Sequence, residues 1–326
     1  MSVAEAVFGR IADGELVIID GGTGTQLQAE GVPMDDLAWS ARANLEQPDV
    51  VQHVHEEYIR AGAEVIIANT YASSRAALEP AGLGSRVAEA NRSAVRAALR
   101  AREAAATGPV AVAGSMSSFS PNDMEAGGLG RPLAGPADED PRFPTLAHFR
   151  EQAELLAEEG VDLIALEMIN ARGYGRAALQ AAAETGLPVW LGISAFHRED
   201  GTLSTLLELG DGDSVEDLLS ALADPELAAI TVMHSKPEAS LPRSRSSAAT
   251  SPGPSGSTPR PATGSRRTGY SAACRPPGTS SRRSPGPTAG CGSSAAAAVS
   301  GPSTYERSRT ACPVAARRLG QDPERE

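Results

Sequence analysis

The sequence predicts an α/β fold: a (β/α)8, or TIM, barrel of which about six βα units are recognisable in residues 1–242, followed by a low-order tail over residues 243–326. Three observations predict it. Short Val- and Ile-rich runs alternate with amphipathic helical patterns, a glycine recurs where helix passes to strand, and nearly every apolar run ends in a polar residue. Short helix-to-strand links imply parallel strands with right-handed crossovers. An open doubly wound sheet shares those links, but it gathers functional groups only near its switch point. Polar tips on almost every strand suit a closed barrel, whose strand ends converge on one face.

The strands, in order, are LVIID (16–20), VIIANTY (65–71), VAVAGSM (110–116), DLIALEM (162–168), PVWLGIS (188–194) and LAAITVMHS (227–235). Each is a short apolar run of the kind that is buried on both faces. Between them, Val50, Val51, Val54 and Tyr58 share one helical face, as do Val87, Ala90, Ala94, Val95 and Ala98, and Leu146, Phe149, Ala153 and Leu156. Thr145 and Ser214 stand at N-cap positions, with Asp217 at capping-box spacing from Ser214. Gly62, Gly160 and Gly186 each stand where a helix ends, two or three residues before a strand.

Charge and composition divide the chain. Residues 1–242 hold 37 acidic and 16 basic side chains, whereas residues 243–326 hold 4 and 13. The second segment has 16 Ser and 11 Pro but only Val299, Val314 and Leu319 among its large aliphatic positions, too little apolar surface to offset chain entropy. The core must therefore come from residues 1–242. No apolar run approaches the roughly 18 residues of a membrane span, and Glu5 interrupts any leader-like start, so no membrane association is expected and the default location is cytoplasmic. Cys274, Cys291 and Cys312 all lie in the tail and describe no disulfide framework. Its arginines are scattered and its only aromatics are Tyr270 and Tyr305, which argues against nucleic-acid binding.

The chemistry concentrates at strand ends. Asp20-Gly21-Gly22-Thr23-Gly24-Thr25 is neither a P-loop, since no Lys follows, nor a G-x-G-x-x-G turn. Permissive glycines let a small ligand approach the backbone, and its ammonium group would suit the Asp20 carboxylate; a tight strand exit with a capping Asp is the structural alternative. Glu167 sits at the end of an apolar strand, where a charge is costly unless paired or solvent-facing. It is either half of an ion pair or a second carboxylate gripping the same amine. His234 ends the sixth run, as a packed histidine or a metal ligand. His53 and His55 read as surface or packing residues.

In order, VIIDGGTGTQL, IIANTYASS, VAGSMSS and LIALEM resemble the homocysteine S-methyltransferase family over roughly residues 14–242. The resemblance implies a barrel in which zinc, held by three cysteine thiolates, keeps the homocysteine sulfur as a thiolate. That thiolate attacks a methyl group on a small sulfonium or ammonium donor, giving methionine. It implies substrate-binding roles for Asp20, Gly21, Gly22, Thr23, Asn69, Thr70 and Glu167, and a place near the reacting centre for Tyr71, as the catalytic aromatic. His234 stands where the family has its first zinc cysteine. The family's Gly-Gly-Cys-Cys-Gly segment and its seventh and eighth strands are missing, so the chain as written is expected to be inactive or nearly so. The rival reading is a non-catalytic small amino-acid-binding protein with a basic interaction tail. An open hydrolase-like fold is disfavoured because no G-x-S-x-G elbow occurs.

Patterning is lost abruptly near Leu241-Pro242-Arg243. Reading Ser294 to Val299 as TCG GCG GCT GCT GCG GTA and restarting at the third base gives GGC GGC TGC TGC GGT, which encodes Gly-Gly-Cys-Cys-Gly. The tail is therefore expected to be the last two barrel units read out of frame.

Overall fold

The computed structural model describes residues 2–118, 145–198, 202–205, 214–222, 227–235, 298–300 and 314–315. The strands are β1 (Val17–Ile18), β2 (Val65–Ile67), β3 (Ala111–Ser117), β4 (Leu163–Glu167), β5 (Val189–Ile193), β6 (Phe196–His197), β7 (Leu203–Ser204), β8 (Ala229–Val232), β9 (Ala298–Ser300) and β10 (Val314–Ala315). The helices are α1 (Val3–Ala12), α2 (Thr23–Ala29), α3 (Ala43–Glu46), α4 (Pro48–Arg60), α5 (Arg75–Leu78), α6 (Val87–Ala105), α7 (Leu146–Glu158), α8 (Arg172–Glu184) and α9 (Val215–Leu222).

Five strands form one parallel sheet in the order β2-β3-β4-β5-β8, and a parallel bridge from Ile19 to Val65 sets β1 beside β2. All six expected barrel strands are therefore present, parallel and in sequence order. Gly62, Gly160 and Gly186 have φ of 107°, 88° and 72°, the left-handed geometry that ends each helix and turns the chain into its strand. Thr145 accepts the His148 N–H and Ser214 accepts the Asp217 N–H, so both expected caps form.

Side-chain alternation gives the sheet two apolar faces. Ile66, Val112, Ile164, Leu166, Leu191 and Ile193 point outward into a core shared with α6, α7, α8 and α9. Val17, Val65, Ala111, Leu163, Trp190 and Ala229 point inward. There they meet Val7 of α1, with Phe8 set edge-on to Trp190 at 6.0 Å. These inward residues lie near the strand N-termini, so α1 covers that end of the partial barrel.

The antiparallel pair β6–β7 is an insertion that the sequence pattern does not reveal. Beyond residue 235 the described residues are β9 and β10, where the sequence suggests no regular element. β9 runs antiparallel to β1, β10 runs parallel to β9, and β10 lies beside β8. They run against the barrel strands and so are not the family's parallel seventh and eighth units. The three cysteines lie outside the described residues.

His55, on α4, is fully buried, and neither ring nitrogen has a hydrogen-bond partner among the described residues. Burial lowers its pKa to about 4. A depressed pKa means that the stability of the neutral form is present above the ordinary 6.5 and is lost as pH falls through about 4. His55→Leu should therefore shift acid unfolding, followed by circular dichroism, to lower pH while changing stability little at pH 7.5. An unchanged acid midpoint would show that this histidine does not limit acid tolerance.

Candidate active site at the strand C-terminal ends

Asp20 leaves β1 buried. The Ile67 N–H donates to its Oδ2 at 2.8 Å, and Oδ1 has no partner among the described residues. Burial is the main force lifting its pKa well above the usual carboxylate range, and the negative charge of Glu167 adds to the lift. Glu167 closes β4, only partly exposed, and burial pushes it up to about 7 while the Ser115 hydroxyl works the other way. Neither carboxylate has a cationic partner among the described residues. Burial of the two acids favours their neutral forms, and a cation beside them would favour the charged ones. Buried Ser194 Oγ, just past β5, likewise lacks a partner among the described residues.

The strand exits are laced to one another. Ser117 Oγ donates to Tyr71 O at 2.8 Å, Ser118 Oγ donates to Met168 O at 3.3 Å, and the Ala195 N–H donates to Ser235 Oγ at 2.7 Å. The Met168 N–H donates to Met233 Sδ at 3.1 Å, across β5. That crossing requires Gly192: a Cβ there would sit 2.5 Å from Leu166 O and 3.1 Å from Met233 Sδ.

Tyr71 is half-buried at the rim, its hydroxyl donating to Met168 Sδ at 3.1 Å and its ring edge-on to Trp39 at 5.9 Å. Trp39 in turn lies over Gly24, where a Cβ would be 2.7 Å from the indole. Gly21 and Gly22 present exposed backbone beside Asp20, and Thr23 begins α2. Asn69 and Thr70 lie behind this surface. Asn69 Nδ2 donates to Ser40 O and Asn44 Oδ1, its Oδ1 accepts from Ser40 Oγ, and Thr70 Oγ1 donates to Ser115 O. Sequence reasoning missed Trp39, Met168 and Met233; a tryptophan in a chain with only 2 of them was the one available signal.

His234 follows β8 at φ 47°, its side chain reaching solvent and its pKa lowered by the protein around it. Among the described residues no three His, Cys, Asp or Glu side chains gather to hold a metal. One imidazole cannot supply the four-coordinate set that zinc takes, so the described residues do not fit a zinc site. Nor is any described helix long and apolar enough to cross a membrane.

A family model described as homocysteine S-methyltransferase matches residues 17–263. The chain belongs to the homocysteine S-methyltransferase family. It is 30% identical over 218 residues to homocysteine S-methyltransferase 2 of Zea mays, covering 63% of this chain and 61% of that protein. It is 30% identical over 253 residues to homocysteine S-methyltransferase 1 of the same plant, covering 73% of each. The structure resembles the metallated form of the Escherichia coli homocysteine methyltransferase MmuM, with TM-score 0.55 and 25% identity, covering 71% of this chain and 77% of that one. The chain spans about three fifths of the length of several curated relatives it matches. For this homocysteine S-methyltransferase family member, the partial parallel barrel is thus the family fold.

Proposed function

We propose that this barrel holds homocysteine by its ammonium group between Asp20 and Glu167, presenting the sulfur toward Tyr71 and His234. There a small sulfonium or ammonium donor would transfer a methyl group to give methionine. The transfer is impaired in this chain because the zinc ligands are incomplete, and the location is cytoplasmic. Zinc, when bound in the family, supplies a thiolate at neutral pH; the residues here supply the amine grip. The observation that carries the proposal is the buried Asp20 carboxylate, whose Oδ1 has no partner and which feels the charge of Glu167, with no cation on either acid among the described residues. An ammonium ion neutralises that charge and satisfies Asp20 Oδ1 in one step.

Calorimetric titration with homocysteine and with 4-mercaptobutyrate, which lacks the amine, tests the grip. Homocysteine should bind at least about tenfold more tightly, roughly the 1.4 kcal/mol of one charge-assisted hydrogen bond; equal affinities would remove the ammonium site. Methionine formation from a sulfonium donor or betaine should stay at the uncatalysed rate with or without added zinc. Fast turnover with stoichiometric metal would show the transfer machinery to be intact. We attribute the impairment to the shifted frame: the coding DNA should open onto Gly-Gly-Cys-Cys by a single-register change between about residues 236 and 250, and its absence would refute that cause.

A further inference from the structure

Tyr71 is held from several sides. Ser117 Oγ donates to its carbonyl at 2.8 Å, Trp39 meets its ring edge-on, and its hydroxyl donates to Met168 Sδ at 3.1 Å. The third contact ties the hydroxyl to the exit of β4, so its place depends on where Met168 stands. Met168 is an extra residue in that exit. The Ile164 N–H donates to Pro188 O at 2.9 Å, and the register continues to Leu166 opposite Leu191. A parallel ladder advances two residues on each strand per bond, so the Met168 N–H should go to Gly192 O. Instead the Ile169 N–H takes Gly192 O at 2.9 Å. One residue too many on one strand is the signature of a β-bulge, a device that re-aims a side chain at a barrel rim.

The chain absorbs the extra residue at Met168, whose φ is 52°. Among the described residues the other non-glycine residues in that left-handed region are Trp39 and His234. A bulky residue persists there only where its surroundings hold it. Here they do so through Met233: the bulge turns the Met168 N–H off the ladder, and Met233 Sδ accepts it at 3.1 Å. Without that acceptor the displaced N–H would be left unsatisfied, at a cost to the bulge. Met233 is itself fixed. Its N–H donates to Ile193 O at 2.9 Å, and its sulfur lies over Gly192, 3.1 Å from where a Cβ would stand. We propose that Met233 is a positioning residue for Tyr71: its thioether fixes the Met168 bulge, and the bulge aims the Met168 thioether at the tyrosine hydroxyl. The inference rests on the proposed site for the part Tyr71 plays there, but not for the linkage itself.

The test is fluorine-19 NMR of the full chain labelled with 3-fluorotyrosine, the Tyr71 resonance being assigned by its loss in Tyr71→Phe. Met168→Leu removes the sulfur beside the hydroxyl at nearly constant volume and should shift that resonance. Met233→Leu removes the acceptor of the Met168 N–H and should shift it in the same direction. Met233→Gln, whose amide oxygen can take the N–H, should return it toward the parent position. A folded Met233→Leu chain that keeps the parent resonance overturns the proposal. If that variant does not fold, hydrogen exchange of the Met168 amide in the parent chain decides. Exchange at least about tenfold slower than in an unstructured chain is expected, and exchange at the unstructured rate overturns the linkage. If the parent chain binds no homocysteine while the resonance shifts as stated, the ammonium reading fails and the linkage stands.

Discussion

On the proposed ammonium grip, Glu167→Gln should weaken homocysteine binding by roughly 100-fold, about 3 kcal/mol, because it replaces one of the two gripping anions by a neutral amide. The effect has a pH signature. Glu167 is held at about 7, so in the parent chain a proton competes with the ammonium, and affinity falls as pH drops through that value. In the variant that part of the dependence vanishes. Stability moves the other way: a raised carboxyl pKa contributes stability that is fully present below the ordinary 4.5 and is lost as pH rises through about 7. Glu167→Gln, with no charge to desolvate, should therefore melt higher than the parent at pH 8.5 and show little gain at pH 4.5. Calorimetry and thermal melts at the two pH values check both halves. A variant that binds as the parent does would remove Glu167 from the ammonium grip, and one that melts lower at pH 8.5 would show that a cation pairs with Glu167 in solution.

Gly192→Ala should lower the thermal midpoint by about 5 °C or more, the effect of an overpacking cost near 3 kcal/mol. The new Cβ would lie 2.5 Å from Leu166 O, a backbone atom of the neighbouring parallel strand that cannot rotate away. It would also press on Met233 Sδ at 3.1 Å, the acceptor of the Met168 N–H, so homocysteine affinity should fall with stability. Gly9→Ala is the control: no atom lies within 4 Å of its Cβ position in α1, and the change should be neutral or stabilising by up to about 1 kcal/mol. Equal melting of Gly192→Ala and the parent would mean that β4 and β5 can separate without penalty.

Much of the scaffold was legible because its determinants are local. The six apolar runs, the Thr145 and Ser214 caps and the glycine junctions each depend on a few neighbouring residues, and each stands where the sequence pattern indicates. The β6–β7 pair was invisible because two-residue strands are too short to show a period. The full burial of His55 escaped because a lone helical histidine reads alike on a packed or a solvated face. For the site, Asp20 and Glu167 were recognisable as charges at the ends of apolar strands. Asn69 and Thr70 carried the same polar strand-end signal, yet their side chains are turned into the framework behind the rim.

The chain itself dictated which residues become strands, which face of each is apolar, and that polar groups end them, since alternation and capping are properties of short segments. Only the tertiary structure decided that Asp20 would be buried within the field of Glu167, that Met233 would cross Gly192 to reach Met168, and that Gln152, on a helix outside the barrel, would donate to Thr70 O. These are meetings between residues tens of positions apart, and the curl of a parallel sheet, which no local pattern encodes, determines which of them come within reach.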